Sequence, residues 1–325
     1  MSSNEGKRIF ITGANGGIGA ATCRALLREG AAEVVMACRS EAKGEAAREQ
    51  ILAETGADPE RLTVYGGFDM LDPEAIRAAV AKLPNAPFDR VFLSAGGWVY
   101  SDDYQTMVSR GVTVEKTVFM NALGGHVTLA QLLNRGLLTP SARIVVMGGE
   151  GGRGVPGTPL VKPDFSDAAA FIAYAHGEGS NRPAYEPPVA LGTSKLYASV
   201  WSQRLARELE GRFEVVCMSP GLTGATAGTG GLPKWKEFVF QKIAFPIMVW
   251  TGKAQWPDAA GQKCADVLSG KLGTHGDILG APEGKALGPL VDQKPMQEAY
   301  TNVAFQDALW DLATQAVGPL EARAA

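Results

Sequence analysis

The 325-residue sequence predicts an α/β fold: a single domain on a doubly wound, mainly parallel sheet, with one insertion and an extended C-terminal region. Three observations lead there. Short apolar runs alternate with longer segments of helical spacing, the first run enters a helix through a glycine-rich turn, and no linker, repeat or low-complexity stretch divides the chain. With 46% hydrophobic and 20% charged residues, the chain can bury one large core.

The runs, in order, are "RIFITG" from Arg8, "EVVMACR" from Glu33, "LTVYGGFDM" from Leu62, "RVFLSAGG" from Arg90, "RIVVMGG" from Arg143 and "FEVVCMSPG" from Phe213. Their nearly continuous apolar character is that of parallel strands covered on both faces, so the functional information sits at their C-terminal ends. The first end is "TGANGGIG", Thr12 to Gly19, directly before the helix "IGAATCRALLRE". Gly13 permits a tight turn, Gly17 lets backbone approach a pyrophosphate, Gly19 allows close helix packing, and the helix N-terminus offers unpaired N–H groups. Asn15 and Ile18 belong to the same cradle. This strand–turn–helix context is that of a Rossmann-type dinucleotide site.

At the second end, "MACRSEAKG" carries Arg39 and Lys43 where folds that prefer NAD place an acid. A guanidinium fork fits a 2′-phosphate, which points to NADP(H); the alternative is that both are solvated residues opening a surface helix. Asp69 and Met70, ending the third run, are expected to flank the adenine. Ser94, Ala95 and Gly96 of "SAGG" are expected beneath the ribose, where small residues let backbone come close.

Composition narrows the partners. A net charge of -3 with both signs dispersed argues for a small-molecule substrate and against nucleic acid. Cys23, Cys38, Cys217 and Cys264 have no metal-ligand spacing, and "MSSNEGKRIFITG" has no signal-peptide apolar region, so a reduced, cytoplasmic protein without a metal is expected. The most apolar stretch, Leu232 to Trp250, is broken by Lys234, Lys236, Glu237 and Lys242 and is too interrupted to span a bilayer. Trp235, Phe238, Val239, Lys242 and Ile243 partly share a helical face ending at Pro246. That face caps a pocket, joins two subunits in a homo-oligomer or touches a membrane surface peripherally, the pocket lid being favoured.

Taken together, "TGANGGIG", "SAGG", the helix bearing Asn121, Lys195 and "SPGLTGAT" resemble the short-chain dehydrogenase/reductase superfamily over residues 6–226, leaving residues 227–325 as substrate lid and C-terminal helices. Within it, "VVMACRSEAKGE", "VFMNALGGHVTLAQLL", the insertion from about Gly151 to Ala190 and the tail around "FPIMVWTGKAQWPDAAGQKCADVLSG" are most similar to light-dependent protochlorophyllide reductases. The resemblance implies a porphyrin-type pocket, NADPH, and cofactor contacts from Lys195, Pro220, Gly221 and Thr223. It also implies a catalytic tetrad of Asn, Ser, Tyr and Lys. Carried over position by position, Asn121 and Lys195 remain, whereas Gly149 stands at the serine and Leu191 at the tyrosine; Ser94 replaces the asparagine of the family's turn.

In the family the tyrosine moves the proton and the lysine lowers its pKa and holds the ribose. A general acid is worth about 10²–10⁴ in rate, and leucine supplies none of it. Tyr197, two residues beyond Lys195, points to nearly the opposite helix face and is read as core. Tyr185 precedes Pro187 and Pro188, read as forbidding regular helix, and so sits on a loop able to fold back to the site. Tyr100, Tyr174, His176 and Cys217 are weaker substitutes, and His126 is read as packed within its helix. Lys195 and Asn121 are each either catalytic or cofactor contacts; the plain reading of a helix lysine is a solvated one. Two functions follow. The favoured one is an NADPH-dependent oxidoreductase for a bulky apolar or tetrapyrrole-like substrate with a non-standard proton donor; the other is a catalytically silent NADP(H)-binding sensor.

Overall fold

A computed structural model describes residues 3–101, 103–178, 185–224 and 245–320. Along the chain it has β1 Arg8–Thr12, α1 Gly17–Arg28, β2 Glu33–Ala37, α2 Glu41–Thr55, β3 Leu62–Tyr65, α3 Pro73–Ala81 and β4 Phe88–Leu93. A hairpin follows, β5 Thr106–Ser109 and β6 Val112–Glu115, then α4 over residues 116–134 and β7 Leu138–Met147. The rest is α5 Ala168–Ala175, α6 Pro187–Glu208, β8 Glu214–Met218, α7 Phe245–Trp250, α8 Pro257–Ser269, β9 Ile278–Gly280, β10 Val291–Asp292 and α9 Val303–Val317.

Eight strands form one sheet in the order β10-β9-β8-β7-β4-β1-β2-β3, parallel throughout except for the antiparallel β9–β10 pair. The order turns at β1: β2 and β3 extend to one side, β4, β7, β8 and β9 to the other. At such a switch point the loops leaving β1 and β4 diverge over opposite faces and open a crevice above the carboxyl ends, where doubly wound folds bind ligands. The sheet carries its two cores on opposite faces. One packs α3, α4, α6 and α9 residues such as Ile76, Leu129, Trp201 and Leu309; the other packs α1 and α8 residues such as Leu26 and Leu268. The second contact is close, since a Cβ on Gly261 of α8 would lie 2.5 Å from the Ala21 carbonyl carbon of α1.

Several local expectations are corrected. Pro187 and Pro188 do not prevent a helix: they open α6, where proline's missing N–H is unpaired anyway. The third strand ends at Tyr65, so Asp69 and Met70 lie on the loop beyond it. The Asn121 helix is not regular, because Phe119–Leu123 form a π turn within α4. Pro246 does not end its segment but sits at the second position of α7. Trp235, Phe238, Val239, Lys242 and Ile243 lie outside the described residues, as do Lys234, Lys236 and Glu237. On α7, Ile247 and Trp250 are exposed. No described helix is long and apolar enough to cross a membrane.

Candidate functional site

The glycine turn is built as its spacing required. Gly13 has φ +67°, and a Cβ there would lie 3.0 Å from Ala95 Cα, so the loops leaving β1 and β4 touch. A Cβ on Gly19 would fall 2.3 Å from the Gly13 carbonyl oxygen, which no side chain tolerates. Thr12 Oγ1 accepts from Ala95 N–H at 3.0 Å and fixes the two strand ends in register. Helix α1 begins behind Gly16 without a side-chain cap and without an acid in its first turn. Its leading N–H groups and positive dipole end therefore fit an anion at the Gly17–Ile18 edge, where Asn15, Gly17 and Ile18 are half exposed.

Around this turn the other predicted cofactor positions divide. Arg39 and Lys43 are exposed at the end of β2, Lys43 donating its backbone N–H to the Ser40 side chain that caps α2. Among the described residues the Arg39 guanidinium has no protein partner, which leaves its fork free. Asp69 accepts from Leu71 N–H at 3.0 Å and shapes its own turn. Met70 is buried in the core, and a Cβ on Gly124 would come within 2.7 Å of its carbonyl; its side chain is not offered to a ligand.

At the crevice, Ser94 and Ala95 are half-buried and Gly96 is exposed. The Asn121 side chain locks this loop: its amide donates to Gly97 O at 2.7 Å and Thr117 O at 2.8 Å, and its Oδ1 accepts from Gly97 N–H at 3.3 Å. A Cβ on Gly96 would lie 2.4 Å from Asn121 Oδ1 and 3.5 Å from Lys195 Nζ. Gly96, Asn121 and the lysine ammonium thus meet at one point. Lys195 is half-buried, its Nζ 3.5 Å from the Met147 carbonyl oxygen. Burial lowers its pKa to about 8, while Cys217 and Glu150 act the other way.

No phenol stands one turn before Lys195. Leu191 is half-buried there, and the glycine backbone of Gly151 packs on Gly192, where a Cβ on Gly151 would be 2.5 Å from Gly192 Cα. Tyr185 folds back, as its position suggested, but its hydroxyl donates to Val99 O and its ring packs edge-on against Tyr104 at 4.9 Å. Tyr197 is core: its hydroxyl donates to Phe171 O and its ring stacks on Phe171 at 4.1 Å. Tyr174 joins the same aromatic cluster, and Tyr100 packs against Trp98. His176 Nδ1 lies 2.7 Å from Thr113 O, and Cys217 is buried with its sulfur 3.6 Å from Ser199 Oγ. His126 is fully buried between Trp201 Nε1 at 3.2 Å and Gly318 O at 3.1 Å.

The loop after β8 is tied to the C-terminal part of the chain. Gly221 has φ +95° and packs against Leu287, and Thr223 Oγ1 donates to Gly221 O at 2.9 Å. The Pro220 carbonyl receives Gln255 Nε2 at 2.5 Å and Lys263 Nζ at 3.2 Å. Neither Gln255 nor Lys263 was marked by any local sequence signal. Glu150, buried under the same loop, was missed as well; its place among four glycines reads as an open turn.

A family model described as short chain dehydrogenase matches residues 7–159. The chain is 27% identical over 281 residues to dehydrogenase/reductase SDR family member 13 of Bos taurus, covering 83% of this chain and 66% of the relative. It is 30% identical over 240 residues to retinol dehydrogenase 14 of Mus musculus, covering 69% of this chain and 63% of the relative. It thus spans slightly less than two thirds of the length of these two relatives. To protochlorophyllide reductase A, chloroplastic, of Arabidopsis thaliana it is 30% identical over 145 residues, 43% of this chain and 34% of that one. Two solved structures share the fold. A protein from Mycobacterium paratuberculosis gives a TM-score of 0.67 at 22% identity, covering 99% of this chain and 97% of that one. NADPH-dependent 3-quinuclidinone reductase from Rhodotorula rubra gives 0.59 at 20%, covering 86% and 91%.

Proposed function

The chain belongs to the short-chain dehydrogenase/reductase superfamily, and we propose that it works there as an NADPH-dependent oxidoreductase on a bulky apolar or tetrapyrrole-like substrate. The observation that carries the reading is the meeting of Gly96, Asn121 and Lys195 Nζ at the sheet crevice, beside an uncapped helix N-terminus. The α1 N–H groups receive the pyrophosphate, Arg39 the 2′-phosphate, and Lys195 the ribose hydroxyls. A nicotinamide dinucleotide held by these residues would supply hydride-transfer chemistry at the crevice. Asn121 fixes the loop at Gly97 through two hydrogen bonds and would help to orient the nicotinamide there; such positioning contributes several kcal/mol by itself.

The proton is the departure from the family. Leu191 cannot donate one, so it comes from water, from the substrate or from a residue outside the tetrad. Retinol and protochlorophyllide, named in two relatives, are both large and mostly apolar, which supports the substrate class. The test is stereospecifically deuterated NADPH incubated with fractionated small molecules from a cell lysate, with melting temperature followed in parallel. Loss of deuterium to a recipient molecule is the expected result. Binding that raises the melting temperature while no deuterium leaves under any condition would instead mark a nucleotide-binding sensor, as the two vacated tetrad positions suggest.

A further inference from the structure

A carboxylate with no part in the family's tetrad is buried directly beneath this crevice. Glu150 opens a short 3₁₀ turn after β7, one residue past Gly149, and is 7% exposed. Its Oε2 accepts from the Ser219 hydroxyl and its Oε1 from the Ala281 N–H at 3.1 Å. One side chain therefore ties together the ends of the three adjacent strands β7, β8 and β9. Ser219 is the residue before Pro220, and its oxygen also accepts from Gly221 N–H at 3.4 Å.

Burying a carboxylate is unfavourable unless bonds and charge compensate it, and a neutral glutamine of the same length would serve a purely mechanical tie. What the acid adds is charge. The groups that face it are Lys195 on α6, Lys263 on α8, Cys217 on β8 and Tyr300 beside α9, with Arg153 on its own turn. Arg153 spends its guanidinium on the carbonyls of Gly154, Ala281, Pro282 and Lys285. The Lys263 ammonium is held by the Pro220 and Gly288 carbonyls. Burial pushes the Cys217 and Tyr300 pKa values up, so both stay neutral near pH 7. Lys195, whose stem lies against Gly149, has no carboxylate in hydrogen-bond contact among the described residues.

We propose that Glu150 is a positioning residue of this site: it fixes the end of β8 that carries Pro220 and Gly221, and it sets a negative charge one residue past Gly149, against which the Lys195 stem lies. The inference rests on the cofactor reading of Lys195 and Pro220 given above. Without Glu150, one of the two groups that act against burial is lost and the neutral amine forms at lower pH. Without its bonds to Ser219 and Ala281, the loop after β8 is free to shift relative to β7.

Two measurements on the full chain test the two roles. Lys195 is titrated without cofactor by its reactivity towards acetic anhydride across the neutral to alkaline range, read by peptide mass spectrometry. NADPH affinity is read by fluorescence. Glu150→Gln is expected to lower the lysine midpoint by about one unit and to weaken NADPH binding severalfold. Glu150→Met is a second charge-removing variant should glutamine misfold. Ser219→Ala is expected to weaken NADPH binding while leaving the lysine midpoint in place. An unmoved midpoint in both Glu150 variants overturns the charge role, and unchanged NADPH affinity in Ser219→Ala overturns the brace. Should the wild-type chain not bind NADPH at all, the cofactor reading fails separately, and the lysine titration still decides the charge.

Discussion

A Cβ placed on Gly149 would lie 2.8 Å from Lys195 Cγ and 3.3 Å from its Cβ and Cδ, so the vacated serine position and the seat of the lysine are one structural feature. The lysine stem occupies space that a serine side chain would need. Glycine at residue 149 is therefore coupled to the seat of the lysine, and a side chain placed there must displace the stem.

The first prediction follows from that contact. Leu191→Tyr replaces a half-buried side chain and is expected to keep NADPH affinity within about twofold. Leu191→Tyr with Gly149→Ser must push the lysine stem aside, and overpacking of this kind costs about 1–3 kcal/mol, roughly five- to 150-fold in affinity where binding bears it in full. Fluorescence titration compares them. Equal affinities in the single and double variants would mean that the stem moves freely and that the contact restricts nothing.

Arg39 governs the second. Its guanidinium is exposed at the end of β2 and has no protein partner among the described residues. A charge-assisted bond to a 2′-phosphate is worth about 2 kcal/mol, so NADPH is expected to bind roughly thirtyfold more tightly than NADH. Arg39→Ala should remove most of the difference by weakening NADPH alone. Calorimetry that finds equal affinities for the two cofactors, unaltered in the variant, would dispose of the assignment.

What was legible in the sequence and what was not divides by range. The parallel strands were readable because burial on both faces leaves continuous apolar runs, and the glycine turn because Gly13 takes a positive φ of +67° and Gly19 meets the Gly13 carbonyl a few residues before it. The β5–β6 hairpin carried an overlooked signal: "SRGV" turns through Arg110 at φ +49° and Gly111 at φ +81°, between strands of mixed character. Pro187 and Pro188 were misread, since a proline pair starts a helix as readily as it breaks one. Glu150 carried no local signal. Its burial depends on Ser219 and Ala281, 69 and 131 residues further on, and only the sheet order brings them together.

Tyr197 yields a third prediction, and it is a negative one for catalysis. Its hydroxyl donates to Phe171 O inside the core, facing away from the crevice. Tyr197→Phe leaves that carbonyl short of a donor and is expected to cost about 1 kcal/mol in stability. NADPH affinity and any turnover should stay within about twofold. A turnover loss of a hundredfold with the fold intact would return this residue to the list of proton donors.

The fourth concerns acid. His126 is buried as a neutral ring, Nδ1 accepting from Trp201 Nε1 and Nε2 donating to Gly318 O just after α9. Burial lowers its pKa to about 4, against the Gly318 bond that acts upward. The unfolded chain takes up this proton first, near the ordinary histidine value of about 6.5. Its stabilising contribution is therefore whole above that value and falls by about 1.4 kcal/mol per unit as pH drops, until it is gone near the folded value. The expected loss is about 3 kcal/mol over that window. Urea unfolding at a series of pH values measures it, and His126→Gln should be weaker near neutrality but lack this slope. A slope identical in the variant would assign the acid sensitivity elsewhere.

Lys195 supports the last prediction, because an ammonium in contact with the cofactor, as proposed above, would make binding itself pH-dependent. The free ammonium, lowered to about 8 by burial, is lost at moderately alkaline pH. A bound ribose and diphosphate favour the charged form, so binding and protonation are linked: NADPH affinity should hold below that value and fall about tenfold per unit above it. The sign is fixed by charge, since an anionic ligand raises the lysine's proton affinity and deprotonation must then weaken the ligand. Two other alkaline groups lie close, but the buried Cys217 and Tyr300 titrate later, their pKa values being pushed up by burial. Lys195→Met should bind NADPH more weakly at neutral pH and with an affinity nearly flat across the alkaline range, whereas Lys195→Arg, which stays charged, should also be flat but tighter. Wild-type affinity that does not change between neutral and alkaline pH would mean that the ammonium makes no contact with the cofactor, and Lys195 would then stand in this crevice without the role its place in the family implies.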